Sequence, residues 1–282
     1  MDQFKKRACT NALMFTLTGL SCLISVAVLF LILGYIGYHG LSSLSWSFLT
    51  HLPAPVGETG GGIANSIVGS IKIIGLAAVM GIPVGVLGGV YLSEFGRKSR
   101  LGFMIRYCAD VLNGVPSIVM GIVAYTLIVL PMKHFSALAG SVALAIIMIP
   151  MVLRNTEEFV RLVPSNIREA ALGLGVPQWK VIIRIVLPTA SRGIITGIIL
   201  GVSRIAGETA PLIFTAFGNR FWDHGWMSPM SSLPLSIYNY AISPYEDWHR
   251  QAWAAALILI AVVLAGNITA RSLVKRHRGT TH

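Results

Sequence analysis

Charge is the scarcest property of this sequence. Only 12% of its 282 residues are Asp, Glu, Lys or Arg, about half the ~25% of an ordinary soluble domain. So few charges cannot cover a soluble surface of this size. Cysteine is sparse too. Cys9, Cys22 and Cys108 are odd in number, far apart and without CxxC spacing, which excludes a disulfide framework and a zinc site. The nucleotide loop G-x-x-x-x-G-K-[ST] is missing: Gly96-Arg97-Lys98-Ser99 comes nearest and lacks the upstream glycine. HExxH, GxSxG and the dinucleotide fingerprint are also missing. The 29 glycines keep no fixed period, so the chain is not collagen-like or low-complexity.

Apolar residues are abundant, at 54%, with a mean hydropathy of +0.72. They fall in long runs, the signature of a multi-span membrane protein. No Asp, Glu, Lys or Arg occurs from Ala8 to Gly57. Leu13 to about Tyr38 is long enough to cross a bilayer and has no small-residue cleavage site, so it reads as a retained first helix. Further spans are expected at about Ile73–Leu92, Val111–Leu130, Ala137–Val152, Gly193–Phe217 and Ala252–Ile268. The fold class is therefore all-α, with six transmembrane helices. The stretch 1–62 reads as a cytoplasmic N-terminus, first helix and outer loop, 63–270 as the main membrane domain, and 271–282 as a basic cytoplasmic tail.

The net charge of +11 would point a soluble protein towards nucleic acid. Here its distribution gives orientation instead. Lys5, Lys6 and Arg7; Arg97, Lys98, Arg100 and Arg106; Arg154, Arg161, Arg168, Lys180, Arg184 and Arg192; and Arg271, Lys275, Arg276 and Arg278 all fall on one side of a six-span topology. Only Lys133, Arg220 and Arg250 fall on the other. The basic side is the cytoplasm, so both termini are expected there, with lipid and not nucleic acid as the surrounding partner. Trp46, Trp222, Trp226, Trp248 and Trp253 lie in or beside the outer loops, as an interfacial belt would.

The loop 154–192 contains EAALGLGVPQWKVIIRIVLP, from Glu169 to Pro188. It reads as two short helices joined by a turn. Asn166 is placed to cap the first, with Glu169 reaching back. Gly175 suits the left-handed residue that ends it, Pro177 suits the first position of the next, and Pro188 is expected to interrupt the run. An ordered unit between two spans presents a shaped surface to a cytoplasmic partner.

In the fifth span Arg204 lies twelve residues past Arg192, roughly 18 Å into the membrane. Glu208 follows one turn later. Charges at that depth face protein or water and are able to pair at i, i+4 spacing. On a continuous helix Gly193, Gly197, Gly201, Arg204, Glu208, Pro211 and Thr215 share one ~80° arc. The glycines form a close-packing face, and arginine is the side chain suited to bidentate contact with phosphate-like groups. A purely structural ion pair is the alternative reading of the residues. Lys72 is expected to snorkel at the edge of the second span, Arg106 and Asp110 to pair with each other, and Gly81, Gly85 and Gly89 to pack helices.

The spacing of Glu169, Ala170, Ala171, Gly175, Ile185, Leu187 and Pro188 resembles the EAA loop of ABC-importer permeases. The string Arg204 to Ala216 (RIAGETAPLIFTA), with Tyr91-Leu92-Ser93-Glu94 and Gly114-Val115-Pro116-Ser117-Ile118-Val119, is similar to the permease subunits of bacterial phosphate importers. This resemblance covers about Gly61 to Ile268. It implies a type I (MetI-like) permease fold in the bacterial inner membrane and inward phosphate transport rather than enzyme chemistry. It implies that Glu169, Ala170, Ala171 and Gly175 couple to an ATPase, and that Arg204, Glu208 and the adjacent Thr209 lie on the substrate path. The implied partners are a second, related permease subunit, two ATPase subunits and an extracytoplasmic phosphate-binding protein. This chain would bind no cofactor or metal, and ATP-Mg would be used by the ATPase. A permease for another oxyanion or small solute, or an intramembrane enzyme or scaffold, remains open at this point.

Overall fold

The computed structural model describes residues 2–55, 58, 60–223 and 225–276. Within these, most of the chain is helical and five helices are long and apolar enough to cross a membrane. A bent pair of shorter helices passes the same test only when its two halves are taken together. The tail beyond 276, including Arg278, lies outside the described residues.

Helix α1 (Asp2–Leu41) stands largely free. It meets the rest of the chain near its C-terminal end, where Tyr35 packs edge-on against Trp253 at 5.3 Å. The short α2 (Trp46–Thr50) and then α3 (Ala64–Glu94) follow. α7 (Ala137–Arg161) packs along it, and these two helices form the centre of the core. Their contact rests on the second glycine strip. A Cβ on Gly81 would lie 2.6 Å from Met148 Cε, on Gly85 2.8 Å from Val152 Cβ, and on Gly89 2.5 Å from the Leu153 carbonyl. Glycine at each position lets the backbones approach closely, so the strip packs helices as its spacing predicts. Met148, Val152, Leu144 and Ile73 fill the interior around this seam.

The third span differs from the expected straight helix. α4 (Arg100–Gly114) and the segment from α5 (Ser117–Ala124) to α6 (Leu130–Met132) meet at 107°. Residues 111–114 therefore belong to the helix before the bend. Pro116 is the cause: it disfavours helical geometry in the residue before it, and Val115 is extended at φ −72°, ψ 132°. The hydropathy run crosses this bend without a gap, so composition could not reveal it.

Pro188 produces the opposite correction. The run is not interrupted there, and helix continues from Gln178 to Ala206 through α9 (Gln178–Val181), a π-helical turn (Ile182–Val186) and α10 (Leu187–Ala206). The Leu187 N–H donates to Ile182 O, five residues back. This wider turn accommodates a proline that offers no N–H and would clash in an α-helical turn. The same device precedes Pro131, where Leu130 N–H donates to Tyr125 O.

Past Ala206 the fifth span breaks at Gly207–Thr209 and resumes as α11 (Ala210–Thr215). Pro211 cannot return a hydrogen bond to the Gly207 carbonyl. The continuous wheel is therefore valid only up to the break, and Pro211 and Thr215 do not extend the arc of Gly193 to Arg204. Outside the membrane core, α2, α12 (Leu233–Ala241) and the start of α13 (Glu246–Arg276) pack around Phe48, Ile63, Leu233, Tyr240 and Trp248. Lys72 does not snorkel but holds this cap to α3, its Nζ 2.7 Å from Asp223 Oδ2.

Candidate functional site: a broken span and an exposed helical loop

The glycines of α10 set its register against α7. A Cβ on Gly193 would collide with the Phe159 ring, one on Gly197 with Asn155 Cβ at 2.7 Å, and one on Gly201 would lie 3.1 Å from Val152 and 3.3 Å from Met148. The two helices run antiparallel, stepping back along α7 as α10 advances. Met148 is the twelfth of 25 residues in α7, a helix roughly 37 Å long at 1.5 Å per residue. Arg204, one turn beyond Gly201, is therefore level with the middle of α7.

Arg204 occupies the last turn of α10 and Glu208 the break. Arg204 Nε lies 3.8 Å from Glu208 Oε1, with the side chains 40% and 17% exposed. The contact is a loose ion pair rather than a tight bidentate clamp. Ile205 and Ala206 on the neighbouring positions are buried, whereas the guanidinium emerges on a face that this chain's own helices leave uncovered. Thr209 occupies the cap position of α11, and its carbonyl accepts from the Leu212 and Ile213 N–H groups. The break thus places a cation, a carboxylate, a hydroxyl and a helix N-terminus within a few residues of one another. Behind it, Ser203 Oγ donates to Asn267 Oδ1 at 2.6 Å, tying α10 to α13.

At the other end of the bundle, α8 (Ser165–Gly173) carries the EAA residues. Asn166 does not cap it. The helix starts after Pro164, which occupies the cap position with no side-chain bond, and the Asn166 side chain accepts only from its neighbour's Ile167 N–H. Gly175 does turn left-handed, at φ +79°. Its N–H donates to Leu172 O, and Val176 N–H donates to Ala171 O, closing α8 as a glycine C-terminus does. Pro177 precedes α9 as its cap. Ala171 is buried against Val160, Val163 and Val181, while Glu169, Ala170 and Gly175 are exposed. Leu172, Leu174 and Trp179 are exposed beside them.

Sequence reasoning missed the ionic lattice that joins this unit to the spans. Glu157 is fully buried and receives three arginines: Arg106 at 2.6 Å, Arg154 at 2.7 Å and Arg161 at 2.5 Å. Arg106 also donates to Leu92 O and Gly96 O. It does not pair with Asp110, which instead meets Arg154 at 2.9 Å. Arg168, on α8, reaches Glu94 at 2.9 Å and donates to the Val160 and Val163 carbonyls. The i−3 and i+4 positions of Arg154 and Arg161 around Glu157 were a legible signal. The long-range partners Arg106 and Glu94 were not.

A multi-span bundle with a broken helix carrying an Arg–Glu pair, and an exposed helical unit at one end, is an arrangement suited to a membrane transport component. Residues 81–279 match the family described as binding-protein-dependent transport system inner membrane component, and the chain belongs to it. It is 42% identical to the phosphate transport system permease protein PstA of Xylella fastidiosa (strain Temecula1 / ATCC 700964) over 276 residues, 98% of this chain and 96% of that one. It is 45% identical to PstA of Pasteurella multocida (strain Pm70), covering 95% of each. Its fold matches a chain of the inward-facing MetNI methionine ABC transporter, with a TM-score of 0.65 at 14% identity over 76% of this chain and 95% of that one. The protein is thus a multi-pass inner membrane component of an ABC transporter that works with other components, and not an enzyme.

Proposed function

We propose that this chain is the permease subunit of an ATP-driven importer of inorganic phosphate. The observation that carries the reading is Arg204, a guanidinium level with the middle of α7 and held only loosely by Glu208 at 3.8 Å. Relatives named for phosphate transport at 42–45% identity support the choice of anion. Arg204 rests against Glu208, which offsets its burial and prevents permanent capture of an anion. Phosphate competes for the guanidinium, is held briefly and moves on, since conduction needs binding that is not too tight. Thr209 at the same break supplies a further polar contact on the path.

The uncovered face around Arg204 fits a second, homologous permease subunit (PstC-like) completing the pathway. The exposed EAA surface, with Glu169, Ala170 and Gly175 outside and Ala171 as its buried root, fits one of two ATPase subunits (PstB-like). Those subunits bind ATP-Mg, and this chain supplies no nucleotide loop. An extracytoplasmic phosphate-binding protein (PstS-like) delivers substrate to the outer cap. Both termini are cytoplasmic. Residues 63–270 form the permease core, 154–192 its coupling loop, 1–62 an added helix and outer loop, and 271–282 a basic tail. ATP-driven closure of the ATPase pair pushes α8, and the lattice around Glu157 passes that motion to α3, α4 and α7.

Reconstituted vesicles containing this chain and its companions should take up labelled phosphate when ATP is supplied. Unlabelled phosphate should compete, and sulfate and amino acids should not. Uptake that sulfate or an amino acid displaces while phosphate does not would assign a different substrate.

A further inference from the structure

A cavity lined by Arg220 lies on the outer face, apart from the Arg204 break. The chain reverses after α11 through two left-handed residues, Phe217 at φ 62° and Gly218 at φ 92°. Met230 N–H then donates back to Ala216 O at 3.3 Å. This turn folds Asn219 and Arg220 over α12 and encloses a cavity of about 210 Å³. Asn65 clamps the loop, donating its side-chain N–H to Asn219 O at 2.6 Å. The walls are mainly apolar, with Pro53, Phe217 and Trp248, and set Arg220, Ser231, Ser236, Asn239 and Tyr240 among them.

Three features make this a prepared site and not an incidental hollow. Ser231 and Ser236 are more than nine-tenths buried. Their hydroxyls form a triangle with that of Ser66, with separations of 3.0, 2.7 and 3.2 Å. Such a triangle can redirect a proton towards a newly arrived acceptor. The Arg220 guanidinium is seated 5.0 Å over the Trp248 ring, which orients it while leaving its N–H groups free. It makes no ion pair among the described residues, and the nearby Asp223 is held by Lys72. Tyr240 completes the wall: burial pushes its phenol above the usual tyrosine range, with Arg220 pulling the other way, so it is a neutral hydroxyl donor at physiological pH.

We propose that this outer cavity is a binding site for a tetrahedral oxyanion, inorganic phosphate in the first instance. Arg220 supplies the charge, and Ser231, Ser236, Asn239 and Tyr240 supply neutral hydrogen bonds. The proposal rests on the phosphate reading for its choice of anion. The exposed guanidinium favours weak, fast binding, as an entry point requires. Unlike Arg204, Arg220 has no carboxylate competing for it among the described residues. An arriving anion is therefore captured here without displacing anything but water.

The test uses the complete transporter in nanodiscs, without its binding protein. Phenylglyoxal modifies arginine, and peptide mass spectrometry follows Arg220 in inorganic phosphate and in chloride of equal ionic strength. Phosphate should slow modification of Arg220 several-fold. Ser236→Ala should weaken that protection roughly tenfold in phosphate concentration, the effect of losing one hydrogen bond to a charged group. Equal modification rates in phosphate, sulfate and chloride would overturn the site. Protection that appears only on adding the binding protein, whatever the anion, would also overturn it, because Arg220 would then belong to a protein docking surface. Protection by sulfate and not by phosphate would support the oxyanion site while contradicting the phosphate reading, so the two failures are distinguishable.

Discussion

Glu157 on α7 and Arg106 on α4 are 51 residues apart in sequence and 2.6 Å apart in space. Arg106 thereby ties α4 to α7. Its remaining N–H groups hold the carbonyls of Leu92 and Gly96 at the end of α3. One carboxylate is shared by arginines from α4 and from both neighbouring turns of α7. These bonds hold the ends of α3, α4 and α7 together at the root of the EAA unit.

Removing that carboxylate leaves up to three arginines without their shared counter-charge. Glu157→Gln should destabilise the protein by about 3–5 kcal/mol, the usual cost of breaking a buried pair from one side. Thermal unfolding in detergent measures this. A melting temperature equal to wild type would show that the lattice contributes nothing to stability.

The α3–α7 seam makes a second prediction about packing. Gly89→Leu forces a side chain into the Leu153 carbonyl and Thr156, where even a Cβ would lie 2.5 and 2.6 Å away. Overpacking of this kind costs about 1–3 kcal/mol, and yield of the folded protein should fall accordingly. Gly75→Ala is the matched control on the same helix. No atom lies within 4 Å of the place its methyl would take, so it should be neutral. Equal yields for the two variants would mean that close approach at Gly89 is not needed.

Gly175 is left-handed at φ +79° with nothing within 4 Å of a would-be Cβ, so space is not the constraint and conformation is. Gly175→Ala should cost ~1–2 kcal/mol and loosen the end of α8. Gly175→Pro and Glu169→Lys should abolish transport by uncoupling it from ATP hydrolysis. The measurement is ATPase activity of the assembled complex stimulated by substrate-loaded binding protein. Retention of full stimulation in either variant contradicts a coupling role for this loop.

Leu174 is 85% exposed and Trp179 59% exposed on the same surface. Leu174→Glu should leave the chain folded yet reduce co-purification of the ATPase subunit, since a charge would replace an apolar contact. Unchanged recovery of the ATPase would remove this patch from the interface.

Much of this is legible in the sequence because lipid imposes simple rules. Long apolar runs mark five helices directly, and the strip of Gly81, Gly85 and Gly89 packs against α7 as its spacing implies. The differences mostly involve proline or long-range charge. Pro116 bends a run that hydropathy reads as straight, and Pro211 helps break the helix on which spacing alone would seat Arg204 and Glu208 together. Pro188 has every sequence mark of a helix breaker and does not break one, because a π-helical turn absorbs it. Lys72, Arg106 and Asp110 pair with Asp223, Glu157 and Arg154, all far along the chain. Local spacing carries no information about such partners. Of the candidate pathway, the proximity of Arg204 and Glu208 is legible, whereas the break that sets it at 3.8 Å is not.

The central claim is that the Arg204 guanidinium handles the transported anion. Its most direct test is uptake of labelled phosphate by vesicles containing the complete transporter with Arg204→Gln, at an assembly level matched to wild type. The account predicts that uptake falls to background, with Glu208→Gln also impaired because the resting partner is gone. Wild-type uptake by an assembled Arg204→Gln transporter would contradict it and reduce the pair to a structural contact.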